Sequence, residues 1–147
     1  ERGWAFTMRE AVVVGSDAEV HAFREAGLAG ARALAASLGL DAEVAEATDP
    51  FFAPTARGRE LLQRLKSLKH EMLVPIGTDS PLAVASFNHH ENFFGEAFDI
   101  RLADGTPAAS GCVAFGLERW LLAFLVAHGT DAAHWPLDLL ADTSSSR

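Results

Sequence analysis

The residues best placed to do chemistry lie in Gly111-Cys112-Val113-Ala114-Phe115-Gly116-Leu117-Glu118-Arg119-Trp120. An apolar strand pattern runs through a glycine into a helix, and Arg119 falls in that helix's first turn. A cation there is disfavoured by the helix dipole. It calls for a partner, either a nearby acid such as Glu118 or an anionic ligand, and free N–H groups at a helix start suit a phosphate. A second cluster is His89-His90-Glu91. Neighbouring strand residues point to opposite faces, so both imidazoles reach one metal only if the backbone turns there. The simpler expectation is that one of the two lines a pocket or makes a hydrogen bond. His21 and His70 read as surface or boundary histidines, and Asp99 as a strand residue facing solvent or a neighbouring strand.

Those residues sit in a chain of 147 residues, a length that fits one domain. Apolar residues are 49% and charged residues 22%, which excludes collagenous, low-complexity and mostly disordered chains. Twenty acidic against 12 basic residues give a net charge of −8, a field that argues against nucleic-acid binding. The single cysteine, Cys112, excludes an internal disulfide and fits a reducing cytoplasmic setting. The longest apolar run, Trp120–Ala127, has eight residues, far short of the about 20 that span a bilayer. The opening Glu1-Arg2-Gly3-Trp4 is no targeting peptide, and it reads as the start of a segment partway through a larger protein.

The elements that must position these groups follow from the pattern. Phe6–Val14 reads as a strand ended by Gly15. Ser16 and Glu19 form a capping-box signature. Val20, Phe23, Gly27, Ala31, Leu34 and Leu38 then mark one helix face, stopped at Gly39. Asp41–Ala47 is a weak strand, broken at Asp49-Pro50. Arg57–Leu68 reads as a helix whose polar face, with Arg57, Arg59, Arg64, Lys66 and Lys69, is basic. Met72–Ile76 and Leu82–Phe87 read as strands around a Gly77–Pro81 loop. Phe98–Leu102 and Ser110–Phe115 read as a hairpin turning at Asp104-Gly105. Leu117–Ala127 is apolar almost all round, the mark of a buried helix, with Trp120, Leu121, Phe124 and Leu125 in the core. A short helix is expected from Trp135-Pro136, ahead of a loose Ser144–Arg147 tail. The order predicts an α+β domain, an antiparallel sheet flanked by helices.

Gly111–Trp120 resembles motif 3 of the class II aminoacyl-tRNA synthetases. Ser86-Phe87-Asn88-His89-His90-Glu91-Asn92-Phe93-Phe94-Gly95 is similar to a narrower group, as are Asp49-Pro50-Phe51-Phe52 and Leu68-Lys69-His70-Glu71. That group is the amino acid–[acyl-carrier-protein] ligases, relatives of the atypical archaeal seryl-tRNA synthetases. Arg2-Gly3-Trp4-Ala5-Phe6-Thr7-Met8-Arg9-Glu10 resembles the second half of their motif 2.

The resemblance implies a class II synthetase-like sheet, incomplete at the N-terminus, with residues 1–147 forming the C-terminal part of the catalytic domain. It implies that ATP and Mg²⁺ activate a small amino acid, of glycine or alanine type, to an aminoacyl-adenylate. The aminoacyl group then passes to the phosphopantetheine thiol of a carrier protein, with tRNA an unlikely partner. It assigns Arg119 and Arg2 to ATP, Ser86 to the nucleotide and amino-acid pocket, and Glu10 and Cys112 to two of three zinc ligands. A homodimer is expected of the full-length protein. The basic face of Arg57–Lys69 is then either a solvated helix face or a dock for an acidic carrier. Thr7 stands where the family has Arg, and Ala114 replaces a common Gly. The first half of motif 2, motif 1 and the remaining zinc Cys are expected upstream. Alternatives are a seryl-tRNA synthetase core and a non-catalytic module with the same fold.

Overall fold

The computed structural model describes residues 5–47, 68–77 and 80–136. Its centre is a five-stranded antiparallel sheet: β1 (Met8–Gly15), β2 (Glu43–Glu46), β3 (Lys69–Val74), β4 (Leu82–His89) and β5 (Ala109–Gly116), in the order β1-β5-β4-β3-β2. The helices among the described residues are α1 (Asp17–Ser37), the short α2 (Phe93–Ala97) and α3 (Leu117–His128), followed by a 3₁₀ turn at Ala132–His134. The α+β architecture is thus as the element order predicts.

The α1 ends follow their local chemistry. Ser16 Oγ accepts from the Glu19 N–H, and Glu19 Oε2 accepts from the Ser16 N–H at 2.8 Å, completing the capping box. Gly39 takes φ +63°, and Leu40 N–H returns to the Ala35 carbonyl at 2.9 Å, the left-handed stop expected of a glycine past a helix end. The buried stripe of α1 is Val20, Arg24, Leu28, Ala31 and Ala35, so it is rotated from the expected one and leaves Leu34 exposed.

One sheet face is the core. Phe87, Met72, Val84, Ala85 and Val113 pack there against Leu28, Ala31 and Ala35 of α1 and against Trp120 and Ala123 of α3. Opposed residues of an antiparallel pair share a face. Glu10 pairs with Ala114, Val12 with Cys112, Asn88 with Cys112, Ser86 with Ala114 and with Glu71, and Asn88 with Lys69. The polar residues therefore collect on the other face.

Three expectations are corrected. Phe98–Leu102 is not a strand paired with β5, because both edges of β5 are already taken by β1 and β4. The segment instead leaves α2 through Asp99 at φ +53° and makes one bridge, Arg101 to Pro107. The turn at Asp104-Gly105 does form, with Asp104 Oδ1 accepting from Thr106 N–H and Oγ1. α3 is not buried all round: Trp120 and Ala123 are buried, but Leu117, Leu121, Leu122 and Val126 are exposed, Leu121 at 56%. β3 begins at Lys69, before the expected Met72, so Lys69 belongs to the sheet and not to a helix face. The helix expected over 57–68, apart from Leu68, lies outside the described residues, as do Arg2, residues 48–52, the terminal helix beyond Pro136 and the tail.

Candidate functional site

The face opposite the core carries two adjoining clefts. The first, about 170 Å³, is lined by Phe6, Met8, Lys69, Glu71, Ser86, Ala114, Gly116 and Arg119. The second, about 530 Å³, is lined on one side by Glu10, Asn88, His90, Ser110 and Cys112. Its other wall is apolar, with Val12, Val14, Phe94, Phe98 and Ile100. β4 joins the clefts, since Ser86 and Asn88 are two residues apart and Asn88 Nδ2 donates to Ser86 Oγ at 3.3 Å.

Among the described residues Arg119 is held without an acid. Its Nη1 donates to the Ala83 carbonyl at 2.9 Å, and its guanidinium lies 4.2 Å from the centre of the Phe6 ring. The expected alternative, a pair with Glu118, does not form. Glu118 accepts instead from Thr7, through Oγ1 at 2.7 Å and N–H at 2.7 Å. The Thr7 hydroxyl, and then its N–H, hold the Glu118 carboxyl below its ordinary range. A guanidinium on the first turn of a helix, without a carboxylate beside it among the described residues, could hold an anion.

Around Cys112 the chemistry differs. Asn88 Nδ2 donates to the sulfur at 3.2 Å, and His90 Nε2 lies 4.0 Å away. Burial pushes the thiol up to about 12, aided by Glu10, which bonds it and adds its own negative charge, while the Asn88 amide pulls the other way. Burial also lowers His90, with a smaller push from His89 and an opposing pull from Glu10. His90 Nδ1 lies 3.2 Å from Ser110 Oγ, and Phe94 meets the ring edge-on at 5.2 Å. His89 points to the other face, where its Nε2 meets Asp17 at 3.1 Å. The two imidazoles diverge as strand alternation requires.

The structure brings together Glu10 and Cys112 in one cleft and Ser86 and Arg119 in the other. Arg2 lies outside the described residues. Zinc sites open to substrate use three protein ligands. Among the described residues no three of His, Cys, Asp and Glu gather as a group that could hold a metal, so Glu10 and Cys112 do not by themselves make such a site. Sequence reasoning missed Lys69, Glu71 and Asn88. Lys69 and Glu71 form an ion pair at 3.2 Å in the Arg119 cleft, and their alternation on β3 was the available signal.

Comparison with known proteins now bears on this face. The chain is 41% identical over 137 residues to amino acid–[acyl-carrier-protein] ligase 1 of Bradyrhizobium diazoefficiens, across 92% of this chain and 42% of that protein. It is 40% identical to ligase 2 of the same organism, over the whole chain and 45% of that protein. The chain belongs to the amino acid–[acyl-carrier-protein] ligase family. It spans less than half the length of these two relatives. A type-2 serine–tRNA ligase of Methanopyrus kandleri is 28% identical over 95% of the chain. The solved structure of M. kandleri seryl-tRNA synthetase in complex with A. aeolicus tRNASec superposes with a TM-score of 0.78 at 25% identity, covering 95% of this chain and 28% of that one. The fold is accordingly that of the class II synthetases. No protein-family model matches the chain. Among the described residues no helix is long and apolar enough to cross a membrane.

Proposed function

We propose that this chain carries the nucleotide and amino-acid face of an ATP-dependent amino acid–[carrier-protein] ligase. The observation that carries this reading is the adjacency of the two clefts, an acid-free arginine on one side of Ser86 and the Glu10–Asn88–Cys112 group on the other. In the proposed reaction the carboxylate of a small amino acid attacks the α-phosphorus of ATP. Pyrophosphate leaves and an aminoacyl-adenylate forms. The thiol of a carrier's phosphopantetheine then attacks the acyl carbon, and AMP leaves.

Each residue has a part in this. Arg119, anchored by Ala83 and Phe6, binds the phosphates and meets their developing charge without reorganising. Arg2 is proposed as a second phosphate contact. Ser86, at the junction of the clefts, holds the reacting ends near each other. The buried Asn88 Oδ1 has no partner among the described residues and would accept from the amino group of the substrate. Zinc, with Glu10 and Cys112 as two ligands and a third from outside the described residues, would hold that amino group. Mg²⁺ would help neutralise the charge of the phosphates.

We read residues 1–147 as the C-terminal part of the catalytic domain, within a cytoplasmic homodimeric protein. The named activity of the Bradyrhizobium relatives and the net charge of −8 favour a carrier protein over tRNA as acceptor. The M. kandleri neighbour, solved with tRNA, supports the other acceptor and makes a seryl-tRNA synthetase core the second reading.

ATP–pyrophosphate exchange in the full-length protein, with zinc and without tRNA, tests the reading. Exchange is expected with glycine or alanine and is expected to vanish in Arg119→Ala and Cys112→Ser. Exchange with serine alone would favour the second reading, and none with any amino acid would reduce the chain to a binding module.

A further inference from the structure

Arg119 faces an unfavourable start. It lies on the first turn of α3, where the dipole repels a cation, and its neighbour in sequence is a carboxylate that would neutralise it. The helix also lacks a capping side chain, because its N-cap is Gly116. A stretch 110 residues away in sequence answers all of this. The Thr7 carbonyl accepts from Leu117 N–H at 2.9 Å, and the Thr7 N–H and Oγ1 occupy one oxygen each of the Glu118 carboxylate at 2.7 Å. The adjacent Phe6 places its ring under the Arg119 guanidinium. The arginine stem passes closely over Gly116, where an added Cβ would lie 3.2 Å from Arg119 Cδ.

We propose that Thr7 and Glu118 are a positioning pair for Arg119: Thr7 takes up both carboxylate oxygens, which fixes the first turn of α3 and leaves the guanidinium to an anionic ligand in the cleft. This rests on the nucleotide reading given above. It goes beyond that reading in assigning a role to two residues that touch no ligand. Both Thr7 contacts are made to an ionised acceptor, the strong class of hydrogen bond. Their geometry reaches the ligand only through Arg119, so the pair has a signature that a plain fold contact lacks: its effect on ATP must disappear once Arg119 is gone.

The experiment is a double-mutant cycle on ATP affinity in the full-length protein, read with a fluorescent ATP analogue, with a thermal melt of each variant. Thr7→Val is expected to weaken ATP about tenfold, and Thr7→Ser to stay within about twofold of the parent. In an Arg119→Ala background Thr7→Val is expected to add nothing. Should Thr7→Val fail to fold, Glu118→Gln, which keeps the shape and gives up the charge, carries the same cycle. Unchanged affinity in a folded Thr7→Val or Glu118→Gln, or a full additive effect on top of Arg119→Ala, overturns the pair while leaving the nucleotide reading intact. Unchanged affinity in Arg119→Ala itself overturns the nucleotide reading, and this proposal with it.

Discussion

Asn88 Nδ2 stands 3.2 Å from the Cys112 sulfur, and the same amide, 9% exposed, buries an Oδ1 with no partner among the described residues. A buried polar atom without a partner costs about 1–3 kcal/mol, so its retention at the junction of two clefts points to a donor supplied by a ligand. Asn88→Leu removes both the orphan and the contacts to Ser86 and Cys112 at similar volume. The expected outcome is a stability loss of at most about 1–3 kcal/mol, since Ser86 Oγ and Cys112 Sγ lose a donor while the unpaired Oδ1 is removed. Pyrophosphate exchange should fall by at least about tenfold, the factor that 1.4 kcal/mol of lost transition-state binding gives. Denaturant melts alongside exchange rates check both halves. A large stability loss with exchange intact would make Asn88 a core residue and nothing more.

Gly95 sets the apolar wall of the Cys112 cleft. A Cβ there would meet the Ala108 carbonyl oxygen at 2.1 Å and the Ala108 nitrogen at 2.9 Å, both backbone atoms that no rotamer change can move. Gly95→Ala must therefore displace α2, and with it Phe94, whose ring is stacked on Phe98 at 6.2 Å. We expect a loss of about 1–3 kcal/mol, as for overpacking, and a shift in amino-acid preference measured as relative exchange rates. The contrast is Gly30→Ala on α1, which meets nothing within 4 Å and should be neutral to stabilising by melt.

How far the sequence carries depends on whether a signal is local. The Ser16–Glu19 capping box, the Gly39 stop and the Asp104-Gly105 turn are set by a few adjacent residues, and all were legible. Phe98–Leu102 was misread because its apolar pattern is strand-like, while its fate depends on β1 and β4 having filled both sides of β5. Arg119 stood out from its place on the first turn of a helix after a strand, whereas Cys112 drew attention only through the family resemblance. Asn88 was missed because a single polar residue in an apolar strand shows its meaning only when the Cys112 of β5 arrives opposite it.

Helix α3 gives a graded test of that lesson. Trp120 is buried against Phe115 with ring centres 5.8 Å apart, and its Nε1 has no partner among the described residues. Trp120→Ala should cost about 3–5 kcal/mol. Trp120→Phe should cost less, because it removes the unpaired N–H along with some volume. Leu121→Ala, on the exposed side, should stay within about 0.5 kcal/mol by urea unfolding. A cost at Leu121 equal to that at Trp120 would restore the all-round buried helix that its composition suggests.

The acid sensitivity of the fold should run partly through His70. It sits on β3 opposite Glu46 of β2 and Phe87 of β4, and its buried Nδ1 has no partner among the described residues. Burial lowers its pKa and Arg24 adds to this, with a lesser contribution from Arg32, against the opposing pull of Glu46 and Glu25. A histidine whose folded pKa is lowered binds its proton more weakly folded than unfolded. Between the two pKa values the unfolded chain holds more protons, so stability rises with pH across that window. The full contribution is present above the unfolded value of about 6.5 and is lost as pH falls toward the folded one. His70→Gln removes the titrating group while keeping a polar side chain. The difference in unfolding free energy between parent and His70→Gln should therefore shift in favour of the variant on going from pH 7.5 to pH 5. Urea denaturation at the two pH values measures this. A difference that does not change with pH would show that His70 takes up its proton as readily in the fold as in the open chain.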